Sequence, residues 1–163
     1  MKKQFLVLLL VGLLFSSSGT AWALSGPTVR AEQGSMTAML ISDHGFSLGG
    51  EYGLNSEIGL TAKVGTSFDR LGVKYQLDSN LALLAGLADS DPFVGINGQQ
   101  GLSNEVVGLY ELNLTTRGGD LSLLYDVGVS TSLNHNLDLR AGFIGHLDDR
   151  SSINLQLGVG HRF

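Results

Sequence analysis

The chain has 163 residues, enough for one domain, and carries 43% hydrophobic residues, 23 glycines, two prolines and no cysteine at a formal net charge of -5. Without cysteine there is no disulfide framework, no lipidated cysteine and no thiolate metal centre. The acidic balance argues against a nucleic-acid partner.

Residues 1–23 read as a secretory signal peptide: Lys2 and Lys3 form a positive start, Phe5 to Phe15 an apolar run too short to span a bilayer, and Ala21-Trp22-Ala23 a small-x-small cleavage site. Loss of Lys2 and Lys3 would take the net charge from -5 to -7. Residues 24–34 then form an N-terminal lead-in and 35–163 the folded domain. Nowhere downstream is there an apolar run of about 18 residues, so any membrane crossing must be made by strands.

From Ser35 the chain alternates with a period of two, in segments of about ten residues parted by turn signals. Ser35 to Ser42 is a first strand with weak alternation. Phe46, Leu48, Gly50, Tyr52 and Leu54 oppose Ser47, Gly49, Glu51 and Gly53, and Asn55-Ser56 turns the chain. Ile58, Leu60, Ala62 and Val64 follow, then Leu71, Val73, Tyr75 and Leu77, each set interleaved with glycine, Thr61, Lys63, Arg70, Lys74 and Gln76.

Residues 81–96 are apolar on both parities, so period alone leaves them open. A turn at Asp89-Ser90-Asp91-Pro92 would make Leu81–Ala88 and Phe93–Asn97 a hairpin, for ten strands in all. If 79–104 is instead a long loop or an interior plug, the count is eight. Alternation then resumes through Tyr110, Leu112 and Leu114, through Leu123, Tyr125 and Val127, through Leu139, Ala141 and Phe143, and through Ile153, Leu155, Leu157, Val159, His161 and Phe163.

The second face is rich in glycine and small polar residues and sparsely charged, which suits a crowded lumen better than open water. Its charges are Glu51, Lys63, Arg70, Lys74, Glu111, Asp126, Arg140 and Arg162. Paired across neighbouring strands, they would fill a narrow barrel with ion pairs and lower the cost of burying each charge alone. Strands of about 9 to 11 residues match a tilted crossing of the hydrocarbon core, with the apolar face toward lipid.

On these features the chain resembles the small outer-membrane β-barrels of Gram-negative bacteria. The resemblance implies an all-β, closed, antiparallel up-and-down transmembrane barrel of ten strands, or alternatively eight, located in the outer membrane. Its sharpest piece is the C-terminus, because such proteins end in a polar-x-Gly-x-x-aromatic-x-aromatic signal read by the barrel-assembly machinery. Gln156, Gly158, His161 and Phe163 occupy those places, with His161 departing from the commoner Phe or Tyr. Aromatic residues, at 7% of the chain, make a thin girdle.

With both termini periplasmic, the outer rim holds Asp43-His44, Ser67 to Asp69, Asp89 to Pro92, Thr116 to Asp120 and Leu147 to Ser152. Such short loops argue against an adhesin or a rim protease. In a closed barrel Asp43 and His44 approach His146, Asp148 and Asp149, a set able to hold a water for general-base attack or a divalent cation, although solvated turn residues explain it as simply. Arg117 and Arg150 are placed to meet lipopolysaccharide phosphates. The expectation is a structural or surface role, or a narrow porin-like channel with a mostly filled polar lumen, without cofactor or resident metal. Its partners are outer-membrane lipid, lipopolysaccharide and, during biogenesis, the assembly machinery. A barrel enzyme with an Asp/His rim site and a soluble periplasmic lipocalin-like binding barrel are the alternatives.

Overall fold

The computed structural model describes residues 26–65, 69–117, 119–148 and 151–163. The expected signal peptide with its cleavage site, Ser67, Asp149 and Arg150 lie outside the described residues, as does the side chain of Arg117. Ten strands are formed: β1 (Gly34–Ile41), β2 (Gly45–Gly53), β3 (Ile58–Val64), β4 (Arg70–Gln76), β5 (Leu81–Ala88), β6 (Asp91–Gly101), β7 (Val106–Arg117), β8 (Asp120–Ser132), β9 (Leu137–Leu147) and β10 (Ser152–Arg162). Each pairs antiparallel with its neighbours in sequence, and β10 returns to β1, so the sheet closes as an up-and-down barrel with no free edge.

The eight-stranded alternative is thereby corrected. Asp89 and Ser90 both adopt positive φ (50° and 81°), the geometry of a two-residue type I′ hairpin, and join β5 to β6 directly. The four-residue turn expected at Asp89 to Pro92 tightens accordingly, and Pro92 enters β6 opposite Leu87. β6 also runs on to Gly101 rather than ending at Asn97. Period failed here for a physical reason: Leu84, Ala88 and Phe93 face inward and pack on Leu124, so these two strands are apolar on both sides.

Elsewhere the register keeps one parity outward. Phe46, Leu71, Leu121, Ile153 and Leu155 are each more than half exposed, while Ser47, Lys74, Asn113, Ser122, Asp138, Arg140 and Gln156 are buried. The barrel is inside out relative to a water-soluble domain.

The four turns at the mouth where both termini lie share one construction. Leu54-Asn55-Ser56-Glu57-Ile58, Leu77-Asp78-Ser79-Asn80-Leu81, Leu102-Ser103-Asn104-Glu105-Val106 and Leu133-Asn134-His135-Asn136-Leu137 repeat a leucine, a short acceptor side chain, two polar residues and an aliphatic. In each, the first two amides donate to the carbonyl of the last residue. The acceptor side chain folds back onto amides ahead of it, as when Asn134 Oδ1 accepts from Asn136 N and Leu137 N at 2.9 Å each. Asn55 and Ser103 do likewise, and Asp78 Oδ1 accepts from Asn80 N at 2.6 Å.

Residues 26–33 fold back into this same mouth. Gly26 O accepts from Lys74 Nζ at 2.9 Å, Val29 N donates to Gln76 Oε1 at 2.6 Å, and Glu32 N donates to Gly53 O at 2.9 Å. Pro27 is fully buried. Gly53 permits the insertion, since a Cβ there would lie 1.9 Å from Arg30 O.

Candidate functional site

The lumen is built from inward residues of all ten strands, and its charges are arranged in levels. Nearest the terminal mouth, Arg140 Nε donates to Asp138 Oδ2 at 2.6 Å, with both side chains 1% exposed. Ser130 Oγ donates to the same carboxylate at 3.0 Å, and Arg162 lies in the field of Asp138, Arg30 and Arg140. Gly160 makes the room, because a Cβ there would stand 2.1 Å from the Arg140 guanidinium. Next, Lys74 pairs with Glu51 while also holding Gly26.

Above these lies a quartet. Lys63 and Arg70 are direct neighbours across β3 and β4, and Glu111 and Asp126 are direct neighbours across β7 and β8. Two like-charged pairs would each be unfavourable alone. They face one another across the lumen instead, with Lys63 Nζ and Asp126 Oδ2 at 2.5 Å and Arg70 Nη1 and Glu111 Oε1 at 2.5 Å. Gln156 Nε2 donates to Asp126, and Asn113 Nδ2 donates to Glu111 at 2.7 Å. This corrects the expected pairing across neighbouring strands: the register puts like charges side by side, so the attraction runs through the interior.

A cavity of about 50 Å³ lies among Lys63, Arg70, Asn97, Glu111, Asp126 and Gln156, with room for roughly three or four waters. Asn97 Nδ2 donates to Tyr110 O and Gln156 Nε2 to Asp126, which fixes both amides and leaves Asn97 Oδ1 and Gln156 Oε1 buried without a hydrogen-bond partner among the described residues. Toward the far mouth the interior turns apolar: Leu84, Ala88, Phe93 and Leu124 form one cluster, and Met39, Ile41 and Ile144 another.

At the far rim the four candidate residues separate into two groups. Asp43 (φ 65°) and His44 sit exposed in the β1–β2 turn, whereas His146 and Asp148 lie at the end of β9, with β10 between the two groups. His146 is buried, with Nε2 3.6 Å from Asp148 Oδ1 and Nδ1 2.8 Å from Ser152 Oγ. Ser122 Oγ donates to Asp148 Oδ2 at 3.3 Å. Among the described residues no group of three or more His, Asp or Glu has metal-binding geometry.

The four C-terminal residues have unlike surroundings. Gln156 donates to Asp126 of the lumen quartet, and Gly158 faces inward beside Met39. His161 and Phe163 stack outside, ring centroids 6.3 Å apart at 20°. Phe163 exchanges both backbone hydrogen bonds with Gly34 at 3.0 Å, so the last residue closes the seam between β10 and β1.

Sequence reasoning missed Asp138, Asn97, Asn113, Ser122 and Ser152. Parity already placed Asp138 and Ser122 inward. Ser152 shows itself only when the β9–β10 register sets it opposite His146.

No family model and no curated protein matches the chain. Among solved structures, it is similar to the Yersinia pestis outer membrane protein Ail in a phospholipid nanodisc, at 15% identity and a TM-score of 0.48 over 82% of this chain and 100% of that one. A de novo designed transmembrane β-barrel gives 10% and 0.43 over 87% and 100%. The N-terminal β-barrel domain of Pseudomonas aeruginosa OprF gives 14% and 0.38 over 83% and 99%. Likeness at this level does not bear on function.

Proposed function

We propose that the chain is an integral outer-membrane barrel with a closed, non-conducting lumen and a structural or surface role. One observation carries the reading: burial is inverted. Leu71, Val94, Leu121 and Ile153 are 62–69% exposed, while Arg140 and Lys74 are 1–2% exposed. An apolar belt of this extent is unfavourable in water and favourable against acyl chains, which also counts against the soluble lipocalin-like alternative. The closed ladder leaves no strand edge to be satisfied by lipid. The turns carrying Asp43, Asp89 and Asp148 then face outward, where lipid and lipopolysaccharide are the partners, with Arg117 and Arg150 the residues for their phosphates. His161 and Phe163 are read by the assembly machinery from the periplasmic side.

A closed lumen is favoured over a narrow channel because three kinds of obstruction lie in series: the inserted residues 26–33, the charge quartet and the apolar clusters. Conductance across a planar bilayer tests this. The refolded protein is expected to show no unitary steps, and a chain starting at Gln33 is expected to remain closed because the quartet and apolar clusters stay in place. Regular steps from the intact protein would overturn the reading.

A further inference from the structure

At the far rim the β9–β10 hairpin brings a hydroxyl, an imidazole and a carboxylate into a line. We propose that Ser152, His146 and Asp148 act as nucleophile, general base and positioning carboxylate in the hydrolysis of carboxylic esters of membrane lipids. The lipid part of this rests on the outer-membrane reading above; the serine chemistry does not.

The geometry has the order such chemistry needs. A serine hydroxyl is a weak nucleophile until a base within about 2.6–3.2 Å takes its proton and a third group orients that base. Ser152 Oγ is 2.8 Å from His146 Nδ1, and Asp148 Oδ1 is 3.6 Å from His146 Nε2. A carboxylate on the Nε2 side favours the tautomer with its proton there, which leaves the Nδ1 lone pair for Ser152. Asp148 is itself fixed on its other oxygen by Ser122 at 3.3 Å. His146 is 7% exposed, held between β8 and β10 opposite Leu124 and Ser152, while Ser152 at the start of β10 is half-buried.

The surroundings suit an ester with an acyl tail. Two residues before His146, Ile144 faces inward and packs with Met39 and Ile41. On the outer side of the same hairpin Leu147 and Ile153 are 51% and 68% exposed, and Leu121 on β8 is 69% exposed. An acyl chain lying along this outer face carries its ester to the rim at the end of the hairpin, where it turns over the rim to reach Ser152 on the inward face.

In the proposed reaction Ser152 Oγ bonds to the ester carbonyl carbon as its proton passes to His146 Nδ1. The carbon–oxygen bond to the alcohol then breaks, and the alcohol leaves with that proton. Water attacks the acylated serine, its proton passing through His146 back to Ser152 Oγ, and the carboxylic acid departs. No oxidant or further reactant is required.

The test uses the full chain folded in detergent micelles, with folding checked by its altered gel migration before and after boiling. A fluorophosphonate probe needs only an activated serine, and it is expected to label Ser152 in the folded protein and not in the boiled one. Ser152→Ala should abolish labelling, the neighbouring Ser151→Ala should retain it, and His146→Asn should slow it by about 100-fold or more. Asp148→Asn should slow labelling while the barrel remains folded, and Asp148→Glu, which restores the carboxylate, should recover part of the rate. Absent labelling of the folded protein, or equal labelling of Ser152→Ala, overturns the proposal. In mixed micelles with phospholipid, fatty-acid release that depends on Ser152 supports the substrate class. Probe labelling without release overturns that assignment alone.

Discussion

Replacing Asp138 with Ala is expected to destabilise the folded barrel by about 3–5 kcal/mol, read from urea unfolding in lipid vesicles. Asp138 and Arg140 are each 1% exposed and meet at 2.6 Å, and Arg162 stands in the same field. Removing the carboxylate takes from the buried Arg140 guanidinium the counter-ion it meets at 2.6 Å, and that cost exceeds the value of the bond itself. The double variant Asp138→Leu with Arg140→Met removes both charges and is expected to recover most of the loss, because a buried pair replaced by apolar side chains of similar volume is often neutral. A single variant no worse than the double would show that the pair is solvated rather than enclosed.

Phe163→Ala is expected to remove most of the protein from the outer membrane in cells while costing no more than about 1 kcal/mol in micelles. The two effects separate because they draw on different atoms. The seam between β10 and β1 is closed by the backbone of Phe163, which alanine keeps, and its ring is 65% exposed, touching the Gly34 face and stacking on His161. Surface side chains of this kind contribute little to stability. An assembly machinery, in contrast, has to bind the strand before any barrel exists. Equal losses in cells and in micelles would reduce Phe163 to packing.

Facing was legible in the sequence wherever one parity was polar. The alternation of Phe46 to Leu54, of Leu71 to Leu77 and of Ile153 to Phe163 gave both the strands and the sides, because a period of two has only two settings and one of them buries the charges. β5 and β6 were not legible, since Leu84, Ala88 and Phe93 fill the interior with the same residue types that cover the exterior. The repeated Leu-led turns were readable in principle, as four short similar strings at the same mouth.

Partner choice was harder to read than facing. Lys63 and Arg70 adjoin on one wall and Glu111 and Asp126 on the opposite wall, a pairing fixed by barrel closure rather than by spacing along the chain. The same holds at the rim, where closure set β10 between His44 and His146 and the β9–β10 register put Ser152 beside His146. Residues 26–33 carry no periodic signal at all, and only Lys74, Gln76 and Gly53 reveal where they go.

The central claim is that the apolar parity meets lipid and the polar parity does not. The only tryptophan of the chain is Trp22, so a chain beginning at Leu24 has none and one introduced indole reports alone. Val127→Trp and Leu157→Trp place it outward near mid-strand, and Phe93→Trp places it among the buried residues of the lumen. In vesicles of lipids brominated along their acyl chains, the account predicts strong quenching of the first two and little of the third. Quenching at Phe93→Trp as strong as at the outward positions, or none at Val127→Trp and Leu157→Trp, would contradict it.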